Sequence, residues 1–384
     1  MIVGVVTGSR SDYGIYRPLL RALLDDAFFA LRLFVTGAHV SREFGHTVDT
    51  IVAEGFRVDE RIEMLLSSDS PEGIAKSMGL GAIGFAQAYA RSRPDLLIVL
   101  GDRFEMHAAV LAALPFKIPV AHIHGGESTE GAIDDALRHS ITKMSHLHFV
   151  STEEYGRRVM QMGEEPWRVT VSGAPSLDNL KTTKLLDRGD LEKMLGLSLE
   201  VAPLLVTYHP VTLEYEQTEW QVGELLAALQ AVDRPVVFTL PNADTYGRVI
   251  AQKIREFVRD RPTTRLVDNL GTQGYFSLMA HAAAMVGNSS SGLVEAPSFG
   301  LPVVNIGNRQ RGRLRAANVI DVGYSRDEIV TGIRQALSPQ FRESLHDLSN
   351  PYGDGRAAEV IVHTLKTVPL DDRLVTKRFH DGPQ

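Results

Sequence analysis

The sequence predicts an α/β protein built from two doubly wound domains in tandem. Two observations predict this fold class. Apolar runs of four to seven residues recur along the chain, each followed by a longer amphipathic segment, and such runs are typical of strands in a parallel sheet that helices cover on both faces. The series of runs also ends and restarts near Pro175, so we expect one domain on either side of that residue.

The first half of the chain contains six apolar runs that predict strands, of which the last is the weakest. They lie at 2–8, 30–37, 94–102, 119–126, 146–152 and 168–175. Residues 16–24 have apolar side chains at three- and four-residue intervals, which predicts an amphipathic helix.

The second half contains five more such runs, at 203–210, 234–242, 264–271, 283–292 and 301–307. A further helix is predicted over 353–366. We therefore expect a first domain over 1–174 and a second domain over 175–361. In tandem folds of this kind the last helix can return to the first domain, so we expect about residues 362–384 to pack there.

The composition excludes several classes of protein. The net charge is −7 and no stripe of Lys or Arg interrupts it, which argues against a nucleic-acid partner. The chain has no cysteine, which excludes disulfides and thiolate metal sites and suits a reducing cytosol. The first residues lack the basic region of a signal peptide, and no apolar stretch approaches the ~20 residues that span a bilayer. We therefore expect a cytoplasmic protein with no membrane partner.

Five polar clusters follow predicted strands, at the ends where α/β sheets bind ligands. They are SRSD (9–12), GDRFE (101–105), HGGE (124–127), YHPVT (208–212) and GNSSSG (287–292). We expect these loops to converge on one cleft between the two domains.

The first two clusters each allow a structural and a ligand-binding interpretation. In SRSD, Ser11 or Asp12 can cap the following helix, and Arg10 can contact a ligand. In GDRFE, Asp102 is either a helix cap or a catalytic carboxylate. Arg103 either pairs with the glutamate two residues further on or binds a phosphate.

The segment HIHGGE combines two histidines and a glutamate at the end of an apolar strand. His122 lies within the strand, so we expect an interior histidine whose hydrogen bonds are satisfied. The two glycines allow the backbone to approach a ligand closely. His124 and Glu127 are then directed towards the cleft.

The segment IDDALRH places Asp134 and Arg138, and likewise Asp135 and His139, four residues apart on a helix. One interpretation is a surface helix with ordinary ion pairs. The other is a partly buried acid–base site, where carboxylates close to arginine and histidine acquire shifted pKa values.

The clusters of the second half allow the same two interpretations. Ser289 and Ser290 either cap a helix or bind an anion such as a diphosphate at its N-terminus. Glu295 is either solvated or accepts hydrogen bonds from a ribose. His209 at a strand end is either structural or part of the site.

Together these motifs resemble the hydrolysing UDP-N-acetylglucosamine 2-epimerases, which supply N-acetylmannosamine for sialic acid synthesis, and their relatives that act on related nucleotide sugars. The segments that carry the resemblance occur in order over nearly the whole chain: TGSRSDYG, GDRFE, HIHGGE, IDDALRHSITKMSHLHF, SGAPS, YHPVT, PN at 241–242, GNSSSGLVE and NIGNRQRGR. The non-hydrolysing 2-epimerases share the fold but carry a His-x-Glu-Ala-Gly type of segment where this chain has HIHGGE.

The resemblance implies two Rossmann-like domains of the glycosyltransferase-B type with a nucleotide sugar held between them. It implies an anti elimination of the nucleoside diphosphate across C1–C2 to a 2-acetamidoglycal, followed by addition of water with the opposite configuration at C2. It implies no metal and no redox cofactor, and it implies a homodimer or homotetramer.

Position by position, the resemblance implies two sets of site residues. The candidate catalytic residues are Asp102, His124, Glu127, Asp134, Asp135, Arg138 and His209. The candidate substrate or nucleotide contacts are Arg10, Arg103, His209, Asn242, Ser289, Ser290, Glu295 and Arg309. His124 is a departure, because many relatives have glutamate there. Either its imidazole or Glu127 acts as the base, or the substituents of the sugar differ.

Three other functions stay open at this point. A non-hydrolysing 2-epimerase would release an intact epimerised nucleotide sugar. A glycosyltransferase of the same fold would need an acceptor and would leave the C2 hydrogen in place, and a nucleotide-sugar-binding regulator would not turn over its ligand. The sequence also leaves open whether the nucleotide is UDP or GDP and whether C4 of the sugar carries a hydroxyl or an acetamido group.

Overall fold

The computed structural model describes residues 1–43, 45–68, 70–130, 133–211, 213–240, 247–267 and 270–381. The chain divides into two compact units. Unit 1 comprises Met1–Glu127, Asp134–Lys181 and Tyr352–Gln384, and unit 2 comprises Ser128–Ile133 and Thr182–Pro351. The domain limits expected from the sequence, after 174 and after 361, differ from these by several residues.

Unit 1 is built on a parallel sheet with the strand order β3-β2-β1-β4-β5-β6-β7. Its strands are β1 (Ile2–Thr7), β2 (Ala30–Thr36), β3 (Glu60–Ile62), β4 (Leu96–Leu100), β5 (Val120–Ile123), β6 (Leu147–Val150) and β7 (Val169–Val171). The order changes direction between β1 and β4, which makes the sheet doubly wound and marks the usual place for a ligand.

Unit 2 repeats this plan with the strand order β10-β9-β8-β11-β12-β13. Its strands are β8 (Leu204–Thr207), β9 (Val236–Thr239), β10 (Thr264–Val267), β11 (Ala284–Gly287), β12 (Val303–Ile306) and β13 (Val319–Val322). Here the order changes direction between β8 and β11.

The helices of the described residues follow the strands along the chain. They are α1 (Arg10–Asp25), α2 (Val48–Ala53), α3 (Pro71–Arg91), α4 (Phe104–Ala113), α5 (Asp134–Met144), α6 (Glu153–Gln161), α7 (Asp178–Thr182), α8 (Arg188–Leu195), α9 (Thr218–Gln230), α10 (Gly247–Arg259), α11 (Gly271–His281), α12 (Ser291–Val294), α13 (Arg326–Leu337), α14 (Pro339–Glu343), α15 (Ala357–Thr367) and α16 (Asp372–Val375). In these ranges, none of the helices combines the length and apolar character needed to cross a membrane.

Strand β4 shows why the central strands are apolar throughout. Leu96, Ile98 and Leu100 pack into the core on one face of the sheet, together with side chains of α1 and α15. Leu97 and Val99 pack into the core on the other face, with side chains of α3 and α4. Because successive strand side chains point to opposite faces, a strand covered on both sides has no solvent-facing position.

The predicted elements are largely present, with three corrections. The predicted apolar runs each contain a strand, but the strands are shorter than the runs. The sequence did not predict β3 or β13, which lie at sheet edges. The expectation that Ser11 or Asp12 caps α1 was wrong, because Ser9 is the N-cap and its side chain accepts a hydrogen bond from the backbone N–H of Asp12. The structure confirms the predicted fold class of two doubly wound α/β domains.

Candidate active site

A buried arginine organises the carboxyl end of the sheet in unit 1. Arg138, on α5, has no exposed side-chain surface. Its guanidinium donates hydrogen bonds to Asp102 Oδ2, to Asp135 Oδ1 at 3.4 Å and to the backbone oxygen of Glu127 at 3.0 Å. A guanidinium keeps its charge when buried, and its planar donors hold several acceptors in fixed directions. Arg138 therefore holds together the segments that follow β4 and β5.

The contacts exclude one alternative for GDRFE, that Asp102 caps the helix. Arg103 is the N-cap of α4, and Asp102 pairs with Arg138. Arg103 donates two hydrogen bonds to the buried carboxylate of Glu105, at 3.2 and 3.0 Å. Asp102 keeps about a fifth of its side chain exposed, so a reacting molecule can reach this carboxylate.

The HGGE loop brings a histidine and a glutamate into direct contact. Glu127 is buried and accepts hydrogen bonds from His124 Nδ1 at 2.5 Å and from Ser151 Oγ at 3.1 Å. A side chain at Gly126 is excluded, since a Cβ there would lie 2.4 Å from the backbone oxygen of Tyr155 and the residue has a φ of 77°. The glycine thus lets the loop pack tightly against α6 while the side chains of His124 and Glu127 contact each other.

His122 is the interior histidine that the sequence predicted. It is fully buried, and its Nε2 donates to the backbone oxygen of Gly101 at 2.7 Å while Nδ1 lies 3.1 Å from Thr142 Oγ1. Burial lowers the pKa of His122 to about 3. The imidazole is therefore neutral at physiological pH, and both ring nitrogens are engaged.

The first turn of α5 lies partly in the interior. Asp135 contacts both Arg138 and, at 3.5 Å, His139 Nε2. Burial also lowers the pKa of His139. Asp134 is half-buried at the start of the same helix. Because Arg138 is buried, IDDALRH is not an ordinary surface helix with exposed ion pairs, and the acid–base role of its residues stays a prediction.

A second polar cluster lies at the ends of β1 and β2 and includes His39, which the sequence analysis missed. Asp12 is buried, and burial raises its pKa to about 6 although the nearby Arg103 opposes the shift. His39 is buried between Thr7 Oγ1 at 2.9 Å and Thr47 Oγ1 at 2.7 Å. Burial lowers the pKa of His39 to about 4, and the charge of the exposed Arg10 contributes to this shift. No local pattern indicates His39, because its partners are distant in the sequence.

In unit 2 an asparagine connects the loops that carry the candidate nucleotide contacts. The side chain of Asn288 accepts from the backbone N–H of His209 at 2.7 Å and donates to the backbone oxygen of His209 at 2.8 Å. The backbone oxygen of Asn288 accepts from Arg309 at 3.2 Å and from Gln310 at 2.8 Å. Asn288 is fully buried. The structure therefore brings the loops of His209, Ser289 and Arg309 together.

The serine loop differs from its expected form in one respect. Ser290 is the N-cap of α12, but this helix is only Ser291–Val294, so its macrodipole is small. Hydroxyls and Arg309 are therefore the candidate anion-binding groups of this loop. The hydroxyl of Tyr275, which the sequence analysis missed, lies among the side chains of Thr207, Ser289 and Ser291, and burial raises its pKa to about 12.

The other candidates of unit 2 are placed as follows. Ser289 and Glu295 are buried, and Ser290 and Arg309 are half-buried. The candidate contact Asn242 lies outside the described residues. The roles of all these residues towards a nucleotide stay predictions.

Comparison with known proteins identifies the family. The family model described as UDP-N-acetylglucosamine 2-epimerase matches residues 21–366. The chain belongs to this epimerase family. The resemblance stated from the sequence motifs is thereby confirmed.

Two curated relatives of the epimerase family cover nearly the whole chain. The UDP-N,N'-diacetylbacillosamine 2-epimerase (hydrolyzing) of Legionella pneumophila is 38% identical over 97% of this chain and 97% of its own length. The GDP/UDP-N,N'-diacetylbacillosamine 2-epimerase (hydrolyzing) of Campylobacter jejuni is 40% identical over 98% of each chain.

A solved structure of the family supports the fold. The crystal structure of UDP-GlcNAc 2-epimerase from Neisseria meningitidis bound to UDP-GlcNAc matches with a TM-score of 0.83 and 21% identity, over 96% of this chain and 100% of that one. At this identity the match shows the fold alone. The predicted glycosyltransferase-B type of fold is confirmed for this member of the epimerase family.

Proposed function

We propose that this protein is a hydrolysing nucleotide-sugar 2-epimerase. The substrate is a UDP-linked 2-acetamido sugar, and with water it yields the free 2-epimeric sugar and UDP. The observation that carries the proposal is the cluster around Arg138, where a buried cation joins Asp102, Asp135 and the Glu127 loop. A simple sugar transfer has no use for so many proton carriers, whereas epimerisation with hydrolysis moves protons twice. The two curated relatives with 38% and 40% identity, both named as hydrolysing 2-epimerases, support it.

The proposed reaction has two stages with different demands. In the first, a base removes the C2 proton, the C–H electron pair forms the C1–C2 double bond, and the nucleoside diphosphate leaves with the C1–O electron pair. In the second, C2 of the resulting 2-acetamidoglycal receives a proton on the other face and C1 receives the oxygen of water. Each stage needs its own proton-transfer group, because the two protons occupy opposite faces of C2.

We assign the two tasks to different groups of residues. The carboxylates and histidines of unit 1 transfer protons, with Arg138 orienting Asp102 and Asp135. The residues of unit 2, His209, Ser289, Ser290, Glu295 and Arg309, bind the nucleotide, where hydroxyls and an arginine stabilise the negative charge of the departing diphosphate. Arg10, Arg103 and Asn242 are proposed as further nucleotide contacts.

For the sugar we propose a 2,4-diacetamido substrate, UDP-N,N'-diacetylbacillosamine, before UDP-N-acetylglucosamine. The names of the two curated relatives support this order. His124, where many members of the family have glutamate, is a candidate for reading the changed substituents. A homodimer or homotetramer is proposed from the family alone.

The test is incubation of the purified protein with UDP- and GDP-linked 2-acetamido and 2,4-diacetamido sugars in deuterated water. We expect free UDP and a free 2-epimeric sugar that carries one deuterium at C2. An intact epimerised nucleotide sugar would instead indicate a non-hydrolysing enzyme. Release of UDP only with an acceptor present, and without deuterium at C2, would indicate a glycosyltransferase. Binding without any product at high protein concentration would indicate a regulator.

Two variants separate chemistry from binding. Asp102→Asn should lower turnover at least 100-fold, within the usual range for general acid–base groups, while UDP binding changes little. Ser290→Ala should chiefly weaken UDP binding. Isothermal titration with UDP and a UDP-release assay measure the two quantities on the same preparations, and a reversed pattern would contradict the assignment.

A further inference from the structure

His124 has a backbone conformation that side chains rarely adopt. Its φ is 65°, and among the described residues other than glycine only His46 and Lys117 also have a positive φ. Such a conformation costs on the order of 1–3 kcal/mol and is kept where the surrounding structure requires it. Here the backbone N–H of His124 bonds to the backbone oxygen of Phe149 at 3.0 Å, so the end of β5 is fixed and the chain turns there sharply. This turn brings the imidazole back onto Glu127.

When Glu127 is ionised, its contact with His124 places the ring proton on Nδ1. The ionised carboxylate only accepts hydrogen bonds, and Nδ1 lies 2.5 Å from Glu127 Oε1, so Nδ1 is the donor in that state. Ser151 Oγ donates to the same carboxylate oxygen at 3.1 Å. A neutral imidazole with a proton on Nδ1 has its lone pair on Nε2. That lone pair can accept a proton.

The exposed fractions of the His124 and Glu127 side chains also favour the histidine as the group that a substrate reaches. The His124 side chain is 12% exposed, whereas the Glu127 side chain is 2% exposed. A substrate therefore has more access to the imidazole than to the carboxylate. The neighbouring His122 cannot substitute for His124, because its Nε2–H is bonded to the backbone oxygen of Gly101 and its Nδ1 to Thr142.

We propose that His124 Nε2 is the base that removes the C2 proton and that Glu127 is a positioning residue that acts through it. This inference rests on the proposed function and deepens it. In the elimination, Nε2 accepts the C2 proton and becomes an imidazolium, the C–H electron pair forms the C1–C2 double bond, and the diphosphate leaves with the C1–O pair. Glu127 stabilises the imidazolium across Nδ1–H. Protonation of the glycal on the other face then belongs to a different group, for which the carboxylates bonded to Arg138 are the candidates.

The experiment separates the two stages of the reaction. Wild type, His124→Asn, Glu127→Gln and the double variant are assayed for release of UDP from the nucleotide sugar. In parallel they are assayed for hydration of the corresponding 2-acetamidoglycal, supplied with UDP. Asparagine tolerates the left-handed conformation of His124, so this variant removes the base with little disturbance of the turn.

His46→Asn is the matched control. His46 also has a positive φ, 47°, and it also pairs with a carboxylate three residues on, Asp49, at 3.0 Å. It lies at the surface, with its Asp49 partner 75% exposed. This variant should keep both activities.

We expect His124→Asn to lower UDP release at least 100-fold and to leave glycal hydration within about threefold of wild type, since general bases contribute 10²–10⁴. Glu127→Gln should lower UDP release about tenfold or more. The double variant should be about as slow as His124→Asn alone, because Glu127 acts through the histidine.

Three results would overturn the inference. In the first, His124→Asn releases UDP as fast as His46→Asn. In the second, His124→Asn keeps the elimination, loses hydration and accumulates the glycal, which makes the histidine the acid. In the third, Glu127→Gln slows the His124→Asn background by a further large factor, which makes the carboxylate itself the base. If wild type releases no UDP from any nucleotide sugar, the proposed function has failed instead.

Discussion

At the scale of single residues, the hydrogen-bond partners of a buried side chain decide whether it is charged or neutral. Arg138 keeps its charge in the interior because two carboxylates and a backbone oxygen surround it. His122 is also fully buried, but its partners are a backbone oxygen and a hydroxyl, so it is neutral. The same desolvation thus yields a fixed cation in one case and an uncharged hydrogen-bonding group in the other.

Asp12 leads to a prediction about stability. Burial raises its pKa from 3.8 to about 6. Its contribution to stability is therefore complete below about pH 3.8 and is lost as the pH rises through about 6, where the buried carboxyl ionises. Asp12→Asn should raise the free energy of unfolding at pH 8 by up to about 3 kcal/mol, with little change at pH 4. Chemical unfolding at the two pH values measures this difference.

Asp25→Asn is the control for this prediction. Asp25 lies on the same helix, α1, but at its exposed end. Its substitution at the surface should change the free energy of unfolding by less than about 0.5 kcal/mol. Equal stability of Asp12→Asn and wild type at pH 8 would show that ionisation of Asp12 costs the folded protein nothing.

At the scale of elements, the loops after β8, β11 and β12 depend on one another through Asn288. Its side-chain amide forms two hydrogen bonds with the backbone N–H and oxygen of His209, as the backbone of a neighbouring strand would. Its own backbone oxygen accepts hydrogen bonds from Arg309 and Gln310. The serine loop lies next to it on the same turn. A change at Asn288 therefore reaches candidate contacts on three loops.

Asn288→Asp tests this dependence. Aspartate has the same shape as asparagine but cannot donate a hydrogen bond to the backbone oxygen of His209. This buried oxygen then lacks its donor, which costs about 1–3 kcal/mol of stability. We expect the affinity for UDP to fall at least fivefold and turnover to fall with it. Isothermal titration and the UDP-release assay measure the effect. Asn308→Ala, an exposed asparagine in the adjoining loop, should stay within twofold of wild type.

The sequence predicted all the central strands, which the folded protein buries most completely. β4, β5, β6 and β8 have no exposed residue, and complete burial requires the continuous apolar run that identifies them. β3 and β13 are edge strands, and β13 has no fully buried residue. Half-exposed edge positions accept polar residues, so the sequences of β3 and β13 carry little strand signal. The other two edge strands, β7 and β10, were predicted because their segments keep an apolar run.

The candidate site could be predicted in its composition but not in its contacts. GDRFE shows the carboxylates and the arginine at a strand end and IDDALRH those on the following helix, yet the pairing of Asp102 with Arg138 joins residues 36 apart in the chain. His39 and Tyr275 were missed for the same reason, and Asp12 was named only as a helix cap, since their significance comes from neighbours on other elements. Local spacing carries no information about such contacts.

At the scale of the whole molecule, the chain returns to unit 1 after completing unit 2, and specific contacts hold it there. Asp178 accepts hydrogen bonds from the backbone N–H groups of Ala357 and Ala358 at the start of α15, at 2.9 and 2.6 Å. The buried Arg168 donates to backbone oxygens of Arg373 and Leu374 in α16, at 2.7 and 2.8 Å. These interactions satisfy helix ends that would otherwise lose water on burial.

A buried carboxylate completes this attachment. Glu164 has no exposed side-chain surface and accepts hydrogen bonds from Lys377 Nζ at 2.7 Å, Lys143 Nζ at 2.6 Å and His148 Nε2 at 3.0 Å. Burial alone would raise the pKa of Glu164, but these hydrogen bonds and charges outweigh it and lower the pKa to about 2. The C-terminal Lys377 is thereby joined to α5 and β6.

Glu164→Gln should destabilise the protein in a pH-dependent way. Because the folded pKa lies below the usual 4.5, the stabilisation by Glu164 is complete above about pH 4.5 and is lost as the pH falls towards 2. At pH 7 the variant should lose on the order of 3 kcal/mol of unfolding free energy, and its difference from wild type should narrow as the pH falls from 4.5 to 3. Chemical unfolding across this range measures both effects.

Glu154→Gln, which removes a partly exposed surface pair with Arg158, should cost less than about 1 kcal/mol at every pH. A constant difference between Glu164→Gln and wild type from pH 7 to 3 would mean that packing, and not the charge of Glu164, holds the C-terminal segment in place.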